Sequence, residues 1–364
     1  MTEEYQLDTI LAHAGINSDE VTGALTAPLY FSTTYQHPEF GKSTGYDYTR
    51  TKNPTRATLE KTLAAIEKAR FAIATSSGMS AIVLAMEYFP VGSKVVACRD
   101  LYGGSFRWFN DMEKQGRFSF TYHNTEDELL AAITQETDIV YLETPTNPLM
   151  VEFDIEKVAE KAHANGAKLV VDNTFYSPVY QTPIPLGADV VLHSATKYLS
   201  GHNDVLAGVV VTDDPDIHAQ LLYDLNTTGP NLSPFDSYML MRGLKTLKIR
   251  MEKSSENAKA VVAFLEASPA VKEVLYTGKG GMISFKVADE GRIPDILNRL
   301  RVFTFAESLG GVESLITYPT TQTHADIPAE VRASYGLTDD LLRLSIGIED
   351  ASDLIADLQN ALEA

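Results

Sequence analysis

The chain has 364 residues, 44% of them hydrophobic, enough for two domains and a large buried core. Thirty basic residues against forty-nine acidic ones leave a net charge of −19, which disfavours nucleic acid and anionic membrane surfaces as partners. The single cysteine, Cys98, excludes an intrachain disulfide framework and suits a reducing compartment. No zinc-ligand spacing is visible. Met1-Thr2-Glu3-Glu4 lacks the basic and apolar regions of a signal peptide, and no apolar run approaches a membrane span, so a cytoplasmic location is expected.

Residues 1–48 scatter turns at Gly15, Gly23, Pro28, Pro38, Gly41 and Gly45 with little sustained periodicity, and they read as an arm. At its end, in Gly45-Tyr46-Asp47-Tyr48-Thr49-Arg50, Arg50 offers a planar fork suited to phosphate and Tyr48 one more donor. A solvated loop looks the same in isolation. From 49 to 243, helical patterns at Thr55–Ala69, Ser80–Phe89 and Ile155–Asn165 alternate with apolar strands such as Ile139–Leu142, the pattern of an α/β domain. Ser76-Ser77-Gly78-Met79-Ser80 follows the apolar Ala72-Ile73-Ala74 and opens an apolar helix, which aims unsatisfied N–H groups and a helix dipole at an anion. By itself it reads as an ordinary Ser N-cap. In Asp100-Leu101-Tyr102-Gly103-Gly104 two glycines permit close approach of backbone to a ligand, although Tyr102 alone reads as a core aromatic beside a turn. Asn147, before Pro148, reads first as a turn residue.

Leu169-Val170-Val171 and Val190-Val191-Leu192 read as buried strands of a parallel sheet. Asp172-Asn173-Thr174 and the run Ser194-Ala195-Thr196-Lys197-Tyr198-Leu199-Ser200-Gly201-His202 therefore emerge at strand C-terminal ends, where an open α/β sheet binds ligands. An acid and a lysine side by side there suggest a cofactor needing both. Pyridoxal phosphate (PLP) fits: its aldehyde needs a lysine amine, and its ring nitrogen needs a carboxylate to stay protonated while the ring accepts carbanion electrons. Singly, Lys197 reads as a solvated charge and Asp172 as a turn or cap residue. Together with the phosphate candidates they reverse that reading. Ser194 and Thr196 flank the lysine with hydroxyls that can donate to a phosphate or orient the ring edge, and strand alternation points both the same way.

A long amphipathic stretch from Pro234 to Ala267 leads into a smaller region, strand-like at Met282–Val287 and Leu341–Ile346 and closed by a helix from Ala351, which reads as an α+β domain. Arg343 stands inside the otherwise apolar Leu342-Arg343-Leu344-Ser345-Ile346-Gly347. A buried arginine needs an anion, and an internal carboxylate is the default.

Six separated motifs carry a family resemblance: Tyr48-Thr49-Arg50, Ser77-Gly78-Met79, Asp100-Leu101-Tyr102-Gly103-Gly104, Glu143-Thr144-Pro145-Thr146-Asn147-Pro148, Asp172-Asn173-Thr174 and Ser194-Ala195-Thr196-Lys197. They occur in the order of the Cys/Met-metabolism PLP enzymes, and from about Thr9 to the C-terminus the chain resembles that family. The resemblance implies an α/β PLP-dependent transferase fold of type I, aspartate aminotransferase-like, with a large mostly parallel-sheet domain and a smaller C-terminal α+β domain. It assigns 1–48 to an arm contributing to the neighbouring subunit's site, 49–243 to the PLP-binding domain and 244–364 to the C-terminal domain. It makes Lys197 and Tyr102 catalytic and gives the PLP phosphate to the backbone amides of Gly78 and Met79. Tyr48 and Arg50 then reach the neighbouring subunit's phosphate, Tyr102 stacks on the pyridine face, and Asn147 donates to the phenolic oxygen. Arg343 clamps the substrate α-carboxylate with Ser308 beside it. The partners implied are amino-acid substrates and further copies of the chain, in a dimer with shared active sites that pairs into the family's tetramer.

Lys197 can take the Cα proton and, in γ-chemistry, move a proton at Cβ so that a leaving group departs from Cγ and a thiol adds. Gly104 stands where methionine γ-lyases carry a cysteine. Glu307 is an acid at the place where γ-synthases and cystathionine γ-lyases face the distal amino group. The run Glu313-Ser314-Leu315-Ile316-Thr317-Tyr318-Pro319 to Thr323-His324-Ala325-Asp326-Ile327-Pro328 looks most like the Gram-positive type of cystathionine γ-synthase and O-acetylhomoserine thiolase. The expectation is γ-replacement on an O-acylhomoserine with cysteine or sulfide, in methionine biosynthesis and transsulfuration. A cystathionine β-lyase or γ-lyase is the alternative, and a non-catalytic PLP-fold binding protein the alternative of another class. Thr51 stands where some proteobacterial synthases have a second arginine, which leaves Arg107 as the candidate for a distal carboxylate. The segment from Val274 to Met282 is shorter than the family's usual connection.

Overall fold

The computed structural model describes residues 5–363. Residues 1–4, on which the reading of an N-terminus without a leader falls, lie outside the described residues, as does residue 364. In chain order the strands are β1 (Phe71–Thr75), β2 (Ser93–Cys98), β3 (Phe118–His123), β4 (Ile139–Glu143), β5 (Lys168–Asp172), β6 (Val190–Ser194), β7 (Gly208–Thr212), β8 (Val271–Leu275), β9 (Met282–Val287), β10 (Thr304–Phe305), β11 (Leu315–Thr317) and β12 (Leu341–Ser345). The chain forms two compact units. One comprises the described residues up to Pro90 with Val170–Leu247, the other Val91–Leu169 with the described residues from Lys248 onward.

In the first unit β1 runs antiparallel to β7, β7 antiparallel to β6, and β6 parallel to β5. The valines of β6 and β7 are buried on both faces, as expected of strands covered on both sides. β7 lies outside the strands expected from the sequence, and its course makes this part of the sheet mixed. The register sets Asp172 opposite Leu192 and Ser194 opposite Gly208, bringing the ends of three strands together. Helix Pro54–Ile66 begins where it does because Asn53 accepts from the N–H groups of Thr55 and Arg56 and Pro54 occupies the first helical position. The arm is less irregular than its sequence: helix Leu7–Ala12 buries Ile10 and Leu11. The amphipathic stretch is two helices, Pro234–Leu244 and Leu247–Ala267.

In the second unit β2 pairs in parallel with β3 and with β4. A separate sheet has the order β10-β11-β12-β9-β8, antiparallel except for β10 and β11. Its core includes Ile283, Phe285, Leu342 and Leu344 from the strands, Val261 and Leu265 from helix Leu247–Ala267, and Leu354 and Leu358 from helix Ala351–Leu362. Because strand side chains alternate, committing Leu342 and Leu344 to this core turns Arg343 to the opposite face.

Candidate active site

Asp172 ends β5 and Ser194 ends β6, so both polar motifs emerge at strand C-terminal ends. Thr174 ties them together. Its N–H and hydroxyl donate to Asp172 Oδ1 at 2.9 and 2.5 Å, and its hydroxyl oxygen accepts the Ser194 N–H at 2.8 Å. The second oxygen of Asp172 has no partner among the described residues. Burial pushes the Asp172 carboxyl up, against the Thr174 hydrogen bonds and nearby His193, which favour its ionised form. Such an oxygen, unpartnered on a half-buried carboxylate, suits an N–H cation.

Lys197 lies in the turn after β6, where its N–H donates to the Ser194 carbonyl at 3.2 Å and its own carbonyl accepts from Gly201 at 2.8 Å. Strand alternation therefore stops at Ser194 and does not reach Thr196. The Thr196 hydroxyl is engaged with Ala207, donating to its carbonyl at 3.2 Å and accepting its N–H at 3.1 Å. Lys197 is half-buried beside the buried Ala195, Tyr198 and Leu199.

Ser77 caps helix Gly78–Glu87 by accepting the Ser80 N–H at 3.0 Å, and the Ala81 N–H goes to the Ser77 carbonyl at 3.1 Å. The N–H groups of Gly78 and Met79 have no partner among the described residues, which is the donor arrangement an anion requires. Two glycines bring this turn against the sheet. A Cβ at Gly78 would stand 2.8 Å from the Ser194 Cβ, and one at Gly208 only 2.0 Å from the Ser77 carbonyl oxygen. The amides, the Ser194 hydroxyl, Lys197 and Asp172 are thus gathered at one end of the strands. They fit a phosphate ester carrying an aldehyde and a basic ring nitrogen. Tyr48 and Arg50 are exposed; Arg50 donates to Asn226 at 3.3 Å and its guanidinium lies 5.4 Å from the Tyr48 ring centre. Buried Arg56 holds that stretch by donating to the carbonyls of Arg50 and Thr51, each at 3.2 Å.

Within the second unit Arg343 is 1% exposed. Its terminal nitrogens donate to Asn147 Oδ1 at 2.8 Å, the Ser308 carbonyl at 3.1 Å and the Thr317 hydroxyl at 3.2 Å. Because Arg343 takes the amide oxygen of Asn147, the amide NH₂ is turned away from it and kept as a donor. Ser308 has φ +91°, a left-handed backbone uncommon outside glycine, which carries its carbonyl to Arg343. Tyr102 is 41% exposed and precedes helix Gly103–Lys114. Burial pushes its phenol up; Arg107 opposes that, Glu307 and Glu143 add to it, and Arg343 opposes it. Gly103 allows close approach, but to protein rather than ligand, since a Cβ there would lie 2.1 Å from the Thr323 carbonyl oxygen. Glu307 and Arg107 are exposed, and Arg107 pairs with Asp326.

Six residues carried no role in the sequence reading. Thr174 had a signal in its Asp-x-Thr spacing. Glu143, which accepts the Tyr102 N–H at 2.9 Å and the Ser105 hydroxyl at 3.3 Å, stood in a motif but with no role attached. Buried His324 has Nδ1 2.8 Å from the Thr323 hydroxyl and Nε2 2.9 Å from the Asn147 carbonyl, so neutral imidazole donates through Nε2. Behind Asp172, buried His193 meets buried Glu67 at 2.5 Å, and Asn173 donates to the same carboxylate oxygen at 3.1 Å.

The fold and these residues define a PLP-dependent enzyme of the type I, aspartate aminotransferase-like class, with a large mixed-sheet domain and a smaller C-terminal α+β domain. Residues 8–363 match the family described as Cys/Met metabolism PLP-dependent enzyme, and the chain belongs to it. It is 50% identical to the cystathionine γ-synthase/O-acetylhomoserine (thiol)-lyase of Bacillus subtilis, over 98% of this chain and 96% of that one. A cystathionine γ-lyase of the same organism is 45% identical over 98% of each chain. Among solved structures, cystathionine γ-synthase from Xanthomonas oryzae pv. oryzae, in complex with aminoacrylate and cysteine, superposes with a TM-score of 0.96 at 41% identity, covering 99% of this chain and 98% of that chain.

Proposed function

We propose that this protein catalyses γ-replacement on an O-acylhomoserine, forming cystathionine with cysteine or homocysteine with sulfide. The ester C–O bond at Cγ breaks, the acyl group leaves as a carboxylate, and the thiol sulfur bonds to Cγ. PLP, when bound, supplies the electron sink. Lys197 moves the protons at Cα and Cβ. Asp172 offers its unpartnered oxygen to the ring N–H, and the amides of Gly78 and Met79 with the Ser194 hydroxyl receive the phosphate. Thr196 adds a hydroxyl beside the phosphate, its oxygen also 3.2 Å from the Ala207 carbonyl in the turn that carries the lysine. Tyr102 provides the stacking ring and Asn147 its NH₂, while Arg343 and Ser308 take the substrate α-carboxylate. Tyr48 and Arg50, exposed at the end of the 1–48 arm, serve the phosphate of a neighbouring subunit in a homo-oligomer. The arm, a PLP-binding domain at 49–243 and a C-terminal domain at 244–364 complete this reading. No described helix is long and apolar enough to cross a membrane; a cytoplasmic location belongs to the same reading.

The reading leans on Glu307, an exposed acid whose charge acts on Tyr102, to which we assign a second ammonium group. A γ-lyase shares that need, and the 45% identity to one makes it the second reading. Product analysis of PLP-loaded protein separates them. Cystathionine or homocysteine formed from O-acylhomoserine much faster than any keto acid supports γ-replacement. Rapid 2-oxobutyrate from cystathionine with poor use of the esters marks a γ-lyase, pyruvate marks a β-lyase, and no turnover of any of these marks a non-catalytic protein.

A further inference from the structure

Arg107 and Asp326 form an ion pair between Nη1 and Oδ2 with both side chains largely exposed. Pairs of this kind usually contribute little to stability. This one stands out for what it neutralises. Arg107 lies in helix Gly103–Lys114, just beyond Tyr102, and its charge acts on the Tyr102 phenol as does that of Glu307. Asp326 is held there by an anchored segment. The Thr323 carbonyl packs on Gly103, buried His324 donates to the Asn147 carbonyl at 2.9 Å, and the Ile327 N–H returns to the His324 carbonyl at 3.1 Å. Asp326 therefore reaches Arg107 from a fixed backbone.

Resting on the γ-replacement reading, we infer that Asp326 sets the acyl group of the donor ester: by occupying Arg107 it selects O-acetylhomoserine over an ester whose acyl chain ends in a carboxylate. The acetyl ester has an uncharged end and is a net-neutral zwitterion. The succinyl ester ends in a carboxylate that must displace Asp326 from Arg107 or lie beside it unpaired. The chain's net charge of −19 works in the same direction, against an anionic donor. Asp326 is thus a specificity-determining residue that acts through Arg107.

The test is kcat/KM for O-acetylhomoserine and O-succinylhomoserine, each with cysteine, in PLP-loaded wild-type and Asp326→Asn protein. Wild type favours the acetyl ester. Asp326→Asn shifts the succinyl-to-acetyl ratio toward succinyl by about fivefold, the upper end for one exposed ion pair, and the shift shrinks at high salt. Adding Arg107→Gln to Asp326→Asn returns the ratio toward wild type, because the gain requires the freed guanidinium. Equal use of both esters by wild type, or an Asp326→Asn effect that is the same on both, overturns the inference while leaving γ-replacement standing. Turnover of neither ester by wild type overturns γ-replacement itself, and this inference with it.

Discussion

The residues proposed to hold the cofactor and those proposed to read the substrate are built in different materials. In the first unit the groups are set mainly by backbone: the amides of Gly78 and Met79 donate, and the Asp172 carboxylate, an acceptor, is fixed by a Thr174 turn, with glycines pressing the turn to the sheet where a Cβ would collide. In the second unit they are largely side chains held by side chains: Arg343 by Asn147 and the Thr317 hydroxyl, and Arg107 by Asp326. Backbone donors are fixed by the fold and suit what every substrate of the enzyme shares. Side-chain donors depend on single partners and can be retuned one residue at a time, which suits what differs between substrates.

The largest break is Lys197→Ala in the first region. If Lys197 moves the protons at Cα and Cβ, product formation falls by about three orders of magnitude or more. Turnover within tenfold of wild type removes the lysine from the chemistry.

Next comes a pH effect in the second region. Burial first, then the charge of Arg343, lowers the His324 imidazole to about 4 from its ordinary 6.5, against hydrogen bonds to the backbone at Asn147 and Leu101. The folded protein binds this proton less readily than the unfolded chain. The stability it contributes is therefore complete above pH 6.5 and is lost as pH falls toward about 4, on the order of 3 kcal/mol in all. Glu60, raised to about 7 by burial against the opposing charge of Arg56, and Asp100, raised to about 7 by burial against hydrogen bonds from Thr146 and Leu149, act oppositely. Their stability is present below the usual carboxylate range and is lost as pH rises through 7, so these two groups together more than offset the His324 slope. His324→Gln keeps a donor for the Asn147 carbonyl and removes the titration. The difference between wild-type and variant unfolding free energies should then slope between pH 6.5 and 4; a flat difference shows that His324 does not titrate in that window.

Gly78→Ala probes the backbone region with a smaller change. The added methyl, 2.8 Å from the Ser194 Cβ, forces the helix start away from β6. Overpacking of this kind costs about 1–3 kcal/mol. Because the amides move with the helix, PLP affinity should fall about tenfold, the equivalent of 1.4 kcal/mol. Wild-type affinity in an absorbance titration shows that the close approach is not needed.

The backbone-built region was the more legible in the sequence, and for a physical reason. β5 and β6 are short apolar runs ended by polar residues, so Asp172 and Ser194 could be placed at strand ends, with Lys197 just beyond, from local pattern alone. Gly78 and Met79 followed from a Ser-Gly turn opening a helix. What stayed hidden depends on partners far along the chain. Arg343 meets Asn147 across 196 positions and His193 meets Glu67 across 126, and no periodicity records such pairings. β7 was passed over although its Val-Val-Val run is strand-like, and helix Leu7–Ala12 is too short for a helical period to show. Gly103 was correctly seen as a place of close approach, but residue type alone cannot tell a ligand from the Thr323 carbonyl.

Ser308→Gly separates backbone from side chain within one residue and has the smallest expected effect. At φ +91° serine pays a conformational penalty that glycine avoids, about 1 kcal/mol. Glycine also gives the unfolded chain more freedom, a loss of about 0.5–1 kcal/mol, so the two nearly cancel and the midpoint of thermal unfolding should move little. The variant keeps the carbonyl that accepts from Arg343, so the guanidinium stays in place and only the hydroxyl is gone. If that hydroxyl helps to hold the substrate α-carboxylate, KM rises two- to fivefold for every amino-acid substrate alike, about one hydrogen bond's worth. If KM is unchanged, the contribution of Ser308 is its strained backbone alone, and this corner of the substrate region is built in the same material as the cofactor region.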